Sequence, residues 1–180
     1  LSTLEWFLYP DTYNVDAGNN IVDQLVYLQL ETFKKRVRDA HQSDISSVNR
    51  YQNMILASIV EKEEKNNANK ATVAWIFFKR LNIWMKLDAD ITLCYGLHQP
   101  YASCTPNIIA KNISDESNIF NTRKKGGLPP QPISNPSVES IVAVLHPQAS
   151  EYLYYLHGSD GKIHYGRTLE EHNANKQYLK

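Results

Sequence analysis

The sequence predicts an α+β domain: a helical core carrying the reactive residues, with a small antiparallel β element near the C-terminus. Three observations point there. Between Ile21 and Trp84, apolar residues recur at helical spacing in three successive stretches. Tyr152 to Leu156 and Ile163 to Tyr165, aromatic and β-branched, flank Gly158-Ser159-Asp160-Gly161 in the pattern of a hairpin. Helix starts at Asn135-Pro136 and Thr168 bracket that hairpin. The 180 residues suit a single domain with a core of its own.

The opening segment, Trp6 to Tyr13, is aromatic and reads as extended chain broken at Pro10. After Gly18-Asn19-Asn20, residues Ile21, Leu25, Leu28, Phe33 and Val37 fall near a helical period. Basic residues crowd 34–38, where they suit a helix C-terminus. A second helix is expected from about Ser47 through Glu63, with Tyr51, Ile55, Leu56 and Ile59 against the core, ended by the polar run Glu63 to Asn67. A third covers about Lys70 to Trp84, with Val73, Ile76, Phe77, Leu81 and Trp84 on one stripe.

From Met85 to Ile133 the pattern is irregular. Ile91 to Tyr95 reads as possible strand, and a short helix is expected near Thr105-Pro106. Gly126-Gly127-Leu128-Pro129-Pro130 forbids regular structure. Long irregular stretches in compact domains are often functional. A helix opened by Asn135-Pro136 has Ile141, Val142, Val144 and Leu145 on its apolar side. The last helix starts at Thr168, with Glu171 completing a capping box.

Lys plus Arg equals Asp plus Glu, 19 each, so the chain lacks the basic excess that drives binding to a phosphate backbone. Nucleic acid is therefore not an expected partner, whereas an uncharged glycan needs no charge excess. No run approaches the roughly 20 apolar residues that span a bilayer. The N-terminus has neither a basic nor an apolar leader region and no Met, so the chain reads as a fragment. Cys94 and Cys104 are close enough in sequence for a local disulfide in an oxidising compartment, or stand as two separate thiols. The six histidines are scattered, so no metal or other cofactor is expected.

Glu61, in Leu56-Ala57-Ser58-Ile59-Val60-Glu61-Lys62-Glu63, lies one helical turn beyond the small residues Ala57 and Ser58. That spacing leaves room for a ligand, and apolar neighbours would raise the carboxyl pKa. A carboxyl still protonated near neutral pH is what protonation of a glycosidic oxygen requires. The same residue equally suits a solvated charge at a helix end. Glu63 stands about 200° around the helix from Glu61 at ideal spacing, so the two are not a pair.

The segment Ala57-Ser58-Ile59-Val60-Glu61-Lys62-Glu63 resembles the signature of the YceG-like family of endolytic murein transglycosylases. Further matches follow in order: Val73-Ala74 through Phe77, Arg80-Leu81, Met85 and Leu87; Asp90, Thr92, Tyr95 and Gly96; Asn121-Thr122; Gly127-Leu128-Pro129-Pro130, Ile133 and Asn135-Pro136; Leu153-Tyr154-Tyr155; and Glu171-His172-Asn173. Tyr9 to Tyr13 is similar to the family's opening segment. The resemblance covers nearly the whole chain, 1–180, as one catalytic domain.

The resemblance implies non-hydrolytic cleavage between N-acetylmuramic acid and N-acetylglucosamine, leaving 1,6-anhydro ends. It places the catalytic acid and base at Glu61, the first Glu of the signature. One carboxyl suffices because the nucleophile is the sugar's own 6-hydroxyl, whereas hydrolytic glycosidases generally need two. Asp90, Thr92, Tyr95, Asn121, Thr122 and Ser58 are candidate sugar contacts, and the Gly-Leu-Pro-Pro run is a candidate cleft wall. For each polar candidate a turn or packing role is the alternative; His172 fits packing or capping better than catalysis.

The family further implies a membrane anchor and a LysM-like subdomain before Leu1, an extracytoplasmic location, and penicillin-binding protein synthases as possible partners. The chain departs from the family at Lys79 (usually Asn), Trp84 (commonly Gly), Asp88 (Gln), Ile91 (Pro) and Arg123 (Tyr). The family's hairpin histidine aligns with Ile163, one position before His164. Asp88 matters most: a second carboxylate near Glu61 could activate water, giving a muramidase-type hydrolase using Glu61 with Asp88 or Asp90. The other alternative is a non-catalytic glycan-binding or scaffold domain.

Overall fold

The computed structural model describes residues 4–39 and 50–179. The order is α1 (Ile21–Phe33), α2 (Arg50–Glu63), α3 (Asn67–Asn82), α4 (Asp90–Gly96), α5 (Pro106–Asn112), α6 (Val138–Leu145), β1 (Tyr154–His157), β2 (Ile163–Gly166) and α7 (Leu169–Asn175). Short 3-10 turns stand at Glu5–Phe7, Tyr101–Ser103 and Lys176–Leu179. The α+β class is as the sequence predicts. Among the described residues no helix is long and apolar enough to cross a membrane.

The core is the junction of α2, α3 and α6. Ile55, Leu56, Ile59 and Val60 of α2 meet Val73, Ala74 and Phe77 of α3 and Ile141 and Val144 of α6, all buried. Burying each large apolar side chain of this set stabilises the fold by roughly 1.5–3 kcal/mol. Asn66 caps α3 by accepting from the Ala68 N–H, and Ser137 caps α6 by accepting from the Ser140 N–H. The α6 cap is thus Ser137, two residues past the expected cap at Asn135. The hairpin pairs Tyr154 with Gly166, Tyr155 with Tyr165, Leu156 with His164 and His157 with Ile163. Thr168 caps α7 as expected, while the Glu171 carboxylate reaches back to the Arg167 N–H.

Several expectations are corrected. The first helix passes at Lys34 into a π-helical turn, Lys34–Asp39, so the basic run occupies that continuation. The expected start of α2 at Ser47 lies outside the described residues. Tyr51 is exposed, not core. Trp84 lies beyond α3, 88% exposed, with a left-handed φ of 57° that carries its ring off the apolar stripe.

Ile91 to Tyr95 is helix, not strand. The Thr92 hydroxyl donates to the Ala89 carbonyl (2.7 Å), and a Cys94–Cys104 disulfide (Cα–Cα 6.0 Å) ties α4 to the following turn. At its end Gly96 is required, since a Cβ there would run into the Asn118 side chain.

Candidate active site

The last turn of α2 presents its glutamates in different directions. Glu61 turns toward α6. Its Oε2 accepts from the Ser137 N–H (3.1 Å), the Ser137 hydroxyl (2.6 Å), the Ser140 hydroxyl (2.6 Å) and the buried Lys70 Nζ (3.2 Å). Burial alone would push this carboxyl up, but the two hydroxyls, the amide and the lysine together hold it below its ordinary value. The expected raised pKa is therefore corrected: the sequence near Glu61 is apolar, but the donors arrive from α3 and α6. Glu61 ties three helices together.

Glu63 faces the other way, into a cleft of about 870 Å³ whose lining includes Asp88, Asp90, Arg123, Tyr155 and His157. Glu61 is not part of that lining. The Tyr155 hydroxyl donates to Glu63 Oε2 at 2.9 Å. Burial raises the Glu63 pKa and the Asp90 charge adds to the rise; Tyr155, His157 and Arg80 work against them without cancelling the effect. Burial likewise pushes the Tyr155 phenol well up, helped by the Glu63 charge, so Tyr155 remains a donor. A carboxyl at a cleft with elevated proton affinity is equipped for general acid chemistry.

Most of the sequence-predicted contacts lie outside the cleft lining. Ser58 is fully buried; its hydroxyl donates to the Ile55 carbonyl and accepts from the Ile133 N–H (2.9 Å). Thr92 and Thr122 are buried and share a 2.8 Å hydroxyl–hydroxyl bond, with the Ala89 N–H donating to Thr122. Asn121 is buried, donating to the Ile113 and Asp115 carbonyls and accepting from the Arg123 N–H. Tyr95 packs edge-on against Phe120, centroids 4.9 Å apart, away from the cleft. Ser58, Thr92, Asn121 and Thr122 are buried with their polar groups bonded within the protein. They are polar and near the cleft in sequence, which is why they resemble contacts.

Of the candidates, only Asp90 reaches the cleft, where it pairs with Arg123 Nε. That pairing, with burial working against it, raises the Arg123 pKa, and the Asp88 and Glu63 charges add to it. Asp88 also lines the cleft, on backbone with φ 52°. Asp88 and Arg123 thus sit in the same cleft as complementary charges. Lys79 donates to the Ser150 carbonyl (3.2 Å), and Ile91 is a buried cleft wall. His172 stacks on Tyr154 at 5.4 Å, the packing role its position suggests.

The reading of the sequence did not place Glu63, Tyr155 and His157 at a cleft, where the structure has them. The signal for Glu63 was its 200° offset from Glu61, which put one of them on the cleft face.

Fold and cleft together define a helical α+β domain that offers one protonatable glutamate to an open polar groove. The chain belongs to the YceG-like family, whose model matches residues 1–178. It is 30% identical over 178 residues to an endolytic murein transglycosylase of Bacillus subtilis (strain 168), covering 97% of this chain and 47% of that protein. It is 30% identical over 179 residues to the endolytic murein transglycosylase of Streptococcus pneumoniae serotype 2, covering 96% of this chain and 31% of that one. The crystal structure of a yceG-like protein from Listeria monocytogenes superposes with a TM-score of 0.84 at 32% identity, over 96% of this chain and 55% of that chain. The chain thus spans about half or less of the length of the curated relatives it matches.

Proposed function

We propose that this domain cuts peptidoglycan glycan strands between N-acetylmuramic acid and N-acetylglucosamine, with Glu63 as acid and then base. The observation that carries the reading is the Glu63 carboxyl, raised in pKa and held by Tyr155 at the cleft. The relatives named endolytic murein transglycosylase support the substrate class. Glu63 gives its proton to the bridging oxygen and the C1–O bond breaks. The resulting carboxylate takes the proton of the muramic acid 6-hydroxyl as that oxygen closes on C1, leaving a 1,6-anhydro end. The nucleophile is already part of the substrate, so proximity supplies much of the rate. Tyr155 steadies the carboxylate after the first proton leaves.

Asp88 favours a second reading. A carboxylate lining the same cleft could activate a water, giving hydrolysis with retained or inverted chemistry at C1. Mass spectrometry of digested glycan strands separates the two: the transglycosylase product is one water lighter than the hydrolase product. Intact strands after prolonged digestion would leave only a binding or scaffold role.

A glycan target of this kind lies outside the cytoplasm, and the Cys94–Cys104 disulfide supports an oxidising compartment. In the whole protein, the same reading extends to a membrane anchor and LysM-like subdomain before Leu1, and to penicillin-binding protein synthases as partners.

A further inference from the structure

Two successive glutamates of α2's end are held by two same-face residues of β1. Tyr155 bonds Glu63, and His157 Nε2 lies 3.2 Å from Oε2 of Glu64. Glu64 is buried, 3% exposed, and its two oxygens also accept from the Asn66 N–H (2.7 Å) and the Asn69 side-chain amide (3.2 Å). With N–H donors on both oxygens it acts as an acceptor, so His157 presents an N–H to it at Nε2. Nδ1 is the ring nitrogen turned away from Glu64. The His157 side chain is 46% exposed and lines the cleft beside Tyr155, its ring edge-on to the tyrosine at 5.9 Å.

Ile163 is the direct cross-strand partner of His157. Directly opposed residues stand on one face with Cβ atoms roughly 4.5–5.5 Å apart. An imidazole placed at 163 would therefore stand beside that of His157. His164, one residue along, points to the other face, where it stacks on Tyr178 at 3.8 Å and pairs with Asp160.

We propose that His157, oriented by Glu64, is a glycan-binding residue of the cleft, hydrogen-bonding a hydroxyl or acetamido group of the strand through Nδ1. The inference rests on the proposed glycan substrate but not on the cleavage chemistry. Hydroxyls and acetamido groups both donate and accept, so one oriented ring nitrogen can engage either.

The test is equilibrium binding of purified glycan strands to the Glu63→Gln protein, which removes turnover from the readout. To that background are added His157→Ala, and His157→Ala with Ile163→His. Thermal unfolding checks that all three are folded. His157→Ala should weaken binding about tenfold, the scale of one lost hydrogen bond left unsatisfied. Returning the ring at 163 should recover most of it. Unchanged affinity in His157→Ala, or a loss that Ile163→His fails to restore, overturns the inference. Cleavage by the protein with Glu63 intact is measured separately. Strands that bind through His157 yet are never cut contradict the proposed reaction alone; strands cut normally but bound equally by all variants contradict the role of His157 alone.

Discussion

The Tyr155 hydroxyl and the Glu63 carboxylate meet at 2.9 Å, joining the hairpin to the last turn of α2 at the mouth of the cleft. Two residues earlier, Glu61 is closed into a cage of serines and a lysine on the opposite side of the helix. One helix turn thus carries a carboxylate tied to neighbouring helices and another that faces the cleft.

Their effects on stability have opposite signs. Glu61 is depressed below its ordinary value, so it stabilises the fold above the unfolded pKa, and that contribution is lost as pH falls through the folded value. Glu61→Gln should cost about 2 kcal/mol near neutral pH, chiefly because buried Lys70 loses its counter-charge. Glu63 is elevated, so its charged form opposes folding once pH rises above the unfolded value near 4.5. Glu63→Gln should leave the protein as stable or more stable at neutral pH. Denaturant melts of both variants, run near neutrality and in mild acid, check the two signs and the flattening of the acid limb in Glu61→Gln.

The neighbours of Glu63 should move the pH–rate profile in opposite directions. Asp90 raises the Glu63 pKa, and removing its charge also frees Arg123, so Asp90→Asn should shift the alkaline limb to lower pH. Tyr155 lowers that pKa, so Tyr155→Phe should shift the limb upward while reducing the maximal rate. Profiles of cleavage rate against pH for the two variants settle it; shifts of the same sign would contradict the electrostatic account.

Trp84 should be dispensable for stability. Its φ of 57° suits glycine, and its ring is 88% exposed. Trp84→Gly removes the strain of a bulky residue in the left-handed region, set against the greater freedom of glycine in the unfolded chain. The net gain should be about 0.5 kcal/mol, read from the urea midpoint. A loss above about 1 kcal/mol would mean that the indole packs more than its exposure shows.

Much of the architecture was legible in the sequence because it depends on local signals. Ile55, Leu56 and Ile59 declare one buried stripe, Thr168 and Glu171 declare a cap, and Gly158 to Gly161 declare a turn. The helix at Asp90–Gly96 was hidden because Ala89 before it offers no side-chain cap to signal a start. Its β-branched residues then read as strand, and the burial and disulfide that override them are tertiary. The site was harder. Ser58 accepts from the Ile133 N–H and Thr122 from the Ala89 N–H, pairings that no local pattern reveals. The donors that depress Glu61 come from residues 70, 137 and 140, and the partner of Glu63 from residue 155. Helical geometry separates the two glutamates, but only the fold says which one faces the cleft.

The most direct measurement is turnover of purified glycan strands by Glu63→Gln and Glu61→Gln, each normalised to folded protein. The account predicts a loss of roughly 10²–10⁴-fold for Glu63→Gln, the scale of a lost general acid, and cleavage within a few-fold of the parent for Glu61→Gln. Near-normal turnover by Glu63→Gln, with Glu61→Gln folded but inactive, would contradict it.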